Sequence, residues 1–213
     1  RMPLRALEPG SVAMLLTACG SERVTSVAPA AVSGSLVQAL TERRSVRSFA
    51  PAPLTMSELL TLSWAAQGVT STEGLRTAPS AGALYPLTLL VATASGVYRY
   101  EPAGNALVRL RSDDARRTLA DAAMGQPWPR TAPATFIVLG DVAVSAVKYG
   151  DRSERFVTLE AGHAAQNLLL MATAMGLGSV PIGGFGDDGV RAVLGLDASL
   201  TPLEIVAVGR RRE

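Results

Sequence analysis

Apolar and polar positions recur along the chain with two periods, and the changes of period mark its elements. Thr55-Met-Ser-Glu58 reads as a capping box, followed by Met56, Leu59, Leu60, Ser63 and Trp64 at helical spacing, so a helix with one buried face is predicted there. Leu36, Val37 and Leu40 predict a shorter helix running into Arg43. Leu87–Ala92 and Thr135–Gly140 are continuous apolar runs of strand length. Val97–Tyr100 and Ala106–Leu110 flank Pro102-Ala-Gly-Asn105, which predicts a hairpin with turn-forming residues at its tip. A helix capped by Asp113 or Asp114 and ending near Met124 follows, with a short helix over Asp187–Leu194 and a last strand over Leu203–Val208. The longest helix is expected from about Phe156 to Met175, stopping at Gly176 and Gly178. It is apolar almost all round, so it must be covered on several faces, as a central helix or a subunit seam.

Strands separated by helices, with at least one hairpin, predict an α+β fold with a central, mainly antiparallel sheet flanked by helices. A doubly wound nucleotide fold fits poorly. Its nearest fingerprint, Gly176-Leu-Gly178-Ser-Val-Pro181, ends a helix where the mechanism needs a loop that starts one. The domain is expected over residues 35–213, after an extension over 1–34 that ends in the small-residue stretch Val27–Gly34. Within that extension Leu16-Thr-Ala-Cys19 looks like a lipoprotein cleavage box, which makes membrane attachment through a lipidated Cys19 the alternative to a cytoplasmic, bacterial protein. The competing expectation is an ordinary first helix or strand with a buried cysteine.

Composition narrows the chemistry. Among 213 residues 48% are apolar and 18% charged, too apolar for a disordered chain. A net charge of +2 argues against nucleic-acid binding. Cys19 and His163 are the only residues of their kinds, so an internal disulfide is impossible and a His/Cys metal site is not expected. The same scarcity argues against a Ser-His-Asp triad. Lys148 is the sole lysine in a chain whose other basic residues are all arginine. His163 and Asn167 read as satisfied core or interface polar residues, and Trp128 as either a cleft wall or a core anchor.

Four segments stand out as candidate chemistry. Arg43-Arg44-Ser45-Val46-Arg47 offers guanidinium forks and a hydroxyl suited to phosphate oxygens, or else a solvated basic loop. Pro79-Ser80-Ala81-Gly82-Ala83-Leu-Tyr-Pro86 is a rigid turn of small residues that would let a flat ligand approach the backbone, or else a purely structural loop. Pro181-Ile182-Gly183-Gly184-Phe-Gly186 presents amides bare of side chains that suit a planar heteroaromatic ring, or else a tight turn. Lys148-Tyr149 could serve as a base and acid pair if partly buried, or lie solvated on a loop.

In this order and spacing, these segments resemble the flavin-dependent nitroreductase family, and within it the branch that holds the SagB-type azoline dehydrogenases. Trp64-Ala-Ala-Gln-Gly68 and Leu159-Glu-Ala-Gly-His-Ala-Ala-Gln-Asn167 extend the likeness, which covers about Ser35 to Arg210. The resemblance implies the nitroreductase-like fold and a homodimer with FMN at the subunit interface. Arg43, Arg44 and Ser45 would then face the phosphate and ribityl chain, Arg47 the pyrimidine end, and Arg210 or Arg211 would complete the phosphate site. Pro79, Ser80, Ala81, Gly82 and Ala83 would line the ring from the other subunit. Pro181 and Ile182 lead into Gly183 and Gly184, whose amides would lie beside the flavin N5. Many members carry a glutamate where this chain has Gly183, so that side chain's role is absent here. The implied activity is a two-step hydride transfer through N5, from NADH or NADPH to a small acceptor. Alternatives are oxidation of a peptide azoline, with Lys148 and Tyr149 deprotonating the ring, and a flavin-binding module without catalysis.

Overall fold

The computed structural model describes residues 23–25, 30 and 32–212. The expected lipoprotein box at Leu16–Cys19 lies outside the described residues, as does part of the stretch Val27–Gly34.

The architecture is organised around a strand too apolar to face water on either side. In β5 (Ala134–Asp141) every residue but the last is buried, so both sheet faces need cover. β5 lies between β2 (Leu87–Thr93) and β7 (Leu200–Arg210) in a sheet ordered β1-β4-β3-β2-β5-β7-β6, all pairs antiparallel. β1 is Arg23–Thr25, so the sheet takes in residues upstream of position 35. β3 (Gly96–Glu101) and β4 (Ala106–Arg111) form the expected hairpin, with Asn105 left-handed at φ 41° at its tip. β6 (Leu177–Ile182) closes the far edge.

Alternation along the strands sorts the side chains into two cores. Leu90, Ile137, Ile205 and Ile182 stand in register across four strands and belong to one face. That face is covered by α3 (Arg116–Ala122) and α7 (Asp187–Leu194) through Leu119, Val190 and Leu194. The other face carries Leu89, Phe136, Val138 and Val206 under α2 (Met56–Gln67) and α6 (Ser153–Ala174). α1 (Leu36–Glu42), α4 (Trp128–Thr131) and α5 (Val142–Tyr149) complete the fold.

Three expectations need correction. α2 keeps its predicted capping box, with the Glu58 amide donating to Thr55 Oγ1 at 3.2 Å and the Thr55 amide to Glu58 Oε2 at 2.7 Å. Its buried surface, however, is much wider than one face: Leu59–Ser63 and Ala65–Gln67 are all buried, while Trp64 is partly exposed. Serine and alanine at 63, 65 and 66 let neighbours approach closely, so burial follows packing around the helix and not apolar spacing. α3 begins at Ala115 without a side-chain cap. The two aspartates are instead engaged by arginines: Asp113 by Arg111, and Asp114 by Arg116, whose backbone amide it also accepts. Finally, of the core and interface readings of His163 the structure removes the first, because His163 is exposed on a face of α6 with Leu159 and Gln166, whereas Asn167 ties the helix to the chain by donating to the Thr77 carbonyl. The sheet, α1, α2 and α5 all pack against α6, so its C-terminal half is covered on several faces as expected, while Thr158, Leu159, Gly162, His163 and Gln166 leave an open face on its N-terminal half.

Candidate active site

The arginine segment lies along the sheet's far edge. Ser45 bridges Ser179 of β6, and the Val46 amide donates to the Ser179 carbonyl at 2.9 Å. Gly178 permits this contact, because a Cβ there would come 2.7 Å from Val46 Cγ1. Arg43 ends α1, its amide donating to Ala39, and Arg44 folds back to donate to the carbonyls of Thr41 and Arg43. Arg47 lies over the Trp128 ring, 5.2 Å from its centroid. None of these three guanidinium groups is paired with a carboxylate among the described residues. Of the two C-terminal candidates, Arg210 is ion-paired with Glu58 at 2.9 Å, while Arg211 is exposed and bridges Phe49. The hydroxyl of Ser179, buried beside Ser45, has no partner among the described residues.

Following β6 to its other end leads to the glycines. Gly183 lies four residues beyond Ser179, about 13 Å at strand rise. It is exposed, and a Cβ built there would meet nothing within 4 Å. Its neighbour is fixed from the α3–α4 connection: Gln126 Nε2 donates to the Gly184 carbonyl at 2.8 Å, and the Gly186 amide donates to Ala122. Met124, exposed and left-handed at φ 56°, stands at this rim. Sequence reading assigned no role to Gln126 or Met124, and no motif in that stretch distinguishes them. Trp128 proves to be the cation–π platform for Arg47 while also packing on the core beneath α3 and α7.

The proline-bounded loop forms a separate cluster at the start of β2. Ala81–Ala83 makes a single tight turn in which Gly82, Ala83 and, after it, Tyr85 all have positive φ, at 64°, 54° and 50°. Such angles are costly for Ala and Tyr and persist only where the surroundings impose them. The Tyr85 amide donates to Ser80 Oγ, and the Tyr85 hydroxyl accepts from the Arg76 amide. Lys148 and Tyr149, at the end of α5, reach the same loop: a Cβ on Gly82 would lie 2.7 Å from Lys148 Nζ and 2.8 Å from Tyr149 Oη. The structure therefore joins two of the predicted segments, Pro79–Ala83 and Lys148-Tyr149.

It also separates these from the rest. β5 and β7 stand between β2 and β6, so the loop and the glycines lie three strand spacings apart, about 14 Å. Both are at the same end of the sheet, where β2 and β7 begin and β5 and β6 end. One chain thus holds the sequence-predicted residues in two separate clusters. Behind the loop lie further polar residues, Gln67, Arg76 and Glu160, for which sequence offered only a glutamate in an otherwise apolar helix. Burial pushes the Glu160 carboxyl up to about 7, opposed by the Ser80 hydroxyl and the Arg76 guanidinium. Among the described residues no group of three or more His, Cys, Asp or Glu side chains is arranged to hold a metal, and no helix is long and apolar enough to cross a membrane.

Comparison with known proteins agrees with this arrangement. The sequence profile of the nitroreductase family matches residues 40–210. A Methanocaldococcus jannaschii protein, provisionally named a nitroreductase, is 40% identical over 184 residues, covering 84% of this chain and 92% of its own length. The crystal structure of a protein from Ralstonia eutropha, also provisionally named a nitroreductase, superposes with a TM-score of 0.79 at 27% identity, covering 90% of each chain. The NADPH:FMN oxidoreductase of Vibrio harveyi, solved with NAD+, shares the fold with a TM-score of 0.64 at 23% identity, covering 84% of this chain and 69% of that one. The match spans both clusters, and the chain belongs to the nitroreductase family.

Proposed function

We propose that this oxidoreductase is an FMN-dependent enzyme that works as a homodimer and passes a hydride from NADH or NADPH to a small acceptor. The observation that carries the reading is the layout along β6: unpaired arginines and a serine at one end, a bare exposed glycine at the other. Arg43, Arg44 and Ser45 would hold the phosphate, with Arg211 better placed to join them than Arg210, which Glu58 already neutralises. The open space over Gly183 and the partnerless Ser179 hydroxyl fit a ligand lying along this strand. Bound there, FMN would supply two-electron redox chemistry. Around it, Arg47 would favour a negatively charged ring, while the amides of Gly183 and Gly184 would donate to its edge.

Two separate clusters on one chain favour assembly across a dimer, so that Pro79–Ala83 of one subunit completes the site of the other. Leu36, Val37 and Leu40 on α1 and Leu159 on α6 are exposed apolar residues suited to that seam. A second reading is supported by the approach of Lys148 and Tyr149 to Gly82. With both polar atoms at the surface of the proposed ring-lining loop, they could take a proton from a substrate carbon, as oxidation of an azoline requires.

The test is anaerobic titration of purified protein with FMN and then with NADH and NADPH. A yellow protein bleached by a nicotinamide donor is expected, with flavin lost in the Arg43→Ala, Arg47→Ala double variant. Protein that takes up no FMN would overturn the proposal, and flavin that binds but is never reduced would favour a binding module. Lys148→Ala should leave bleaching by the nicotinamide unchanged, and should abolish azoline turnover if the second reading holds.

A further inference from the structure

Behind the Pro79–Pro86 loop lies a buried polar cluster that neither the family match nor the two site clusters explain. Glu160, on the covered face of α6, is 3% exposed, and its Oε1 has no hydrogen-bond partner among the described residues. Gln67, at the end of α2, is 2% exposed, and its Nε2 has none either. Between them the Arg76 guanidinium donates to Gln67 Oε1 at 2.7 Å and lies over the Tyr85 ring, 4.4 Å from its centroid. The Ser80 hydroxyl, which already accepts from the Tyr85 amide at 2.9 Å, faces the Glu160 carboxyl together with Arg76. Tyr100 of β3 is the other ionisable group facing Arg76.

Apolar residues would fill this space at lower cost, because buried charge is expensive unless it is paired. What the cluster reaches distinguishes it from ordinary core. Arg76 and Ser80 belong to the loop and its approach, and the third contact is Tyr85, one of its two non-glycine residues at positive φ. A strained turn has to be held by its surroundings. Here the holding residue is Arg76, whose backbone amide donates to the Tyr85 hydroxyl and whose guanidinium lies over the Tyr85 ring, while the buried Glu160 carboxyl faces Arg76 and Ser80 from behind without an ion pair among the described residues.

We infer that Arg76, with the buried Glu160 carboxyl behind it, clamps the Pro79–Ala83 turn in the conformation needed at the flavin, making both of them positioning residues for the active site. The inference rests on the FMN reading above for its consequence, though not for the clamp itself. The clamp acts on the loop from within one subunit, and the loop then presents Gly82 together with Lys148 and Tyr149.

Two measurements on the full chain test it. Hydrogen exchange of the Ala81–Tyr85 amides reads the clamp without flavin. At about pH 8, above the value of about 7 to which burial raises the carboxyl, Glu160→Gln, which keeps the shape and removes the charge, should raise their exchange about tenfold while the central β5 amides keep their protection. The gentler Tyr85→Phe, which removes one hydroxyl and keeps the ring over Arg76, should raise it less. Unchanged exchange at the loop in both variants would overturn the inference, as would faster exchange spread evenly over β5, which marks general destabilisation. The second measurement is FMN affinity in a cycle of Glu160→Gln, Arg76→Gln and the double variant. Residues acting as one unit should be coupled by about tenfold, the double variant binding no worse than either single one. Multiplying effects would overturn the clamp as a unit. Protein that takes up no FMN would refute the cofactor reading, and the exchange experiment would still decide the clamp.

Discussion

A methyl group on residue 82 would collide with the ends of Lys148 and Tyr149, and one on residue 183 would meet nothing. The contrast separates two glycines that look equivalent in sequence. Gly82 also has φ 64°, so Gly82→Ala should destabilise the chain by about 1 kcal/mol, seen as a lower melting temperature, and should displace the Lys148-Tyr149 pair. Gly183→Ala should leave the melting temperature unchanged, because the site is open and φ is not positive. Its methyl would nonetheless project where the flavin edge is proposed to lie, so FMN affinity should fall. Retained affinity in Gly183→Ala, measured by fluorescence titration, would move the ring elsewhere.

At the scale of elements, Glu58 links the start of α2 to the end of β7. Burial opposes its charge, but the Thr55 amide, Arg210 and the Thr55 hydroxyl outweigh this and hold the carboxyl below its usual range. A carboxylate depressed in the folded state contributes stability above its unfolded value, and that contribution is lost as pH falls through the folded one. The stability difference between the native chain and Glu58→Gln, from denaturant titration, should therefore shrink as pH drops from about 6 to about 3. Glutamine at this position still accepts from the Thr55 amide, so the cap survives, and loss of the partly exposed Arg210 ion pair should make the variant less stable at neutral pH by about 0.5 kcal/mol. A gap that does not change with pH would mean that the Glu58 charge adds nothing.

The whole molecule titrates in the opposite sense on the alkaline side of that range. Burial pushes Glu160 and Glu204 up to about 7, above the ordinary carboxyl value of 4.5. The folded chain then holds more protons than the unfolded one between those limits, so stability falls as pH rises from about 4.5 to about 7. Glu204 has no partner among the described residues. Glu204→Gln should consequently raise the melting temperature at about pH 8 and change it little at about pH 4.5. The exposed apolar face of α1 makes the other prediction at this scale. Leu40→Glu should leave the monomer folded, dissociate the proposed dimer in sedimentation, and lower flavin affinity because each site would lose its partner's loop. A variant that stays dimeric would place the seam elsewhere.

Much of the fold was legible in the chain because the governing forces are local. The Thr55–Glu58 box, the turn at Asn105 and the stop at Gly176 depend on residues within a few positions of one another, and each appears where the spacing placed it. Local signals failed where a competitor or a packed neighbour intervened. Asp114 accepts the first amide of α3 but is shared with the Arg116 guanidinium, and Trp64 is partly exposed although its spacing matches buried positions. The segments of the candidate site were visible as residue types, arginines for an anion and bare glycines for a flat ring. What sequence could not determine is which of them meet. Pairing Gly82 with Lys148 and Arg76 with Glu160, while setting β5 and β7 between the loop and the glycines, requires the three-dimensional path of the sheet. Periodicity determines which side of an element is buried. Only tertiary packing decides which distant charges share that space, because the cost of burying a charge depends on partners that lie far away along the chain.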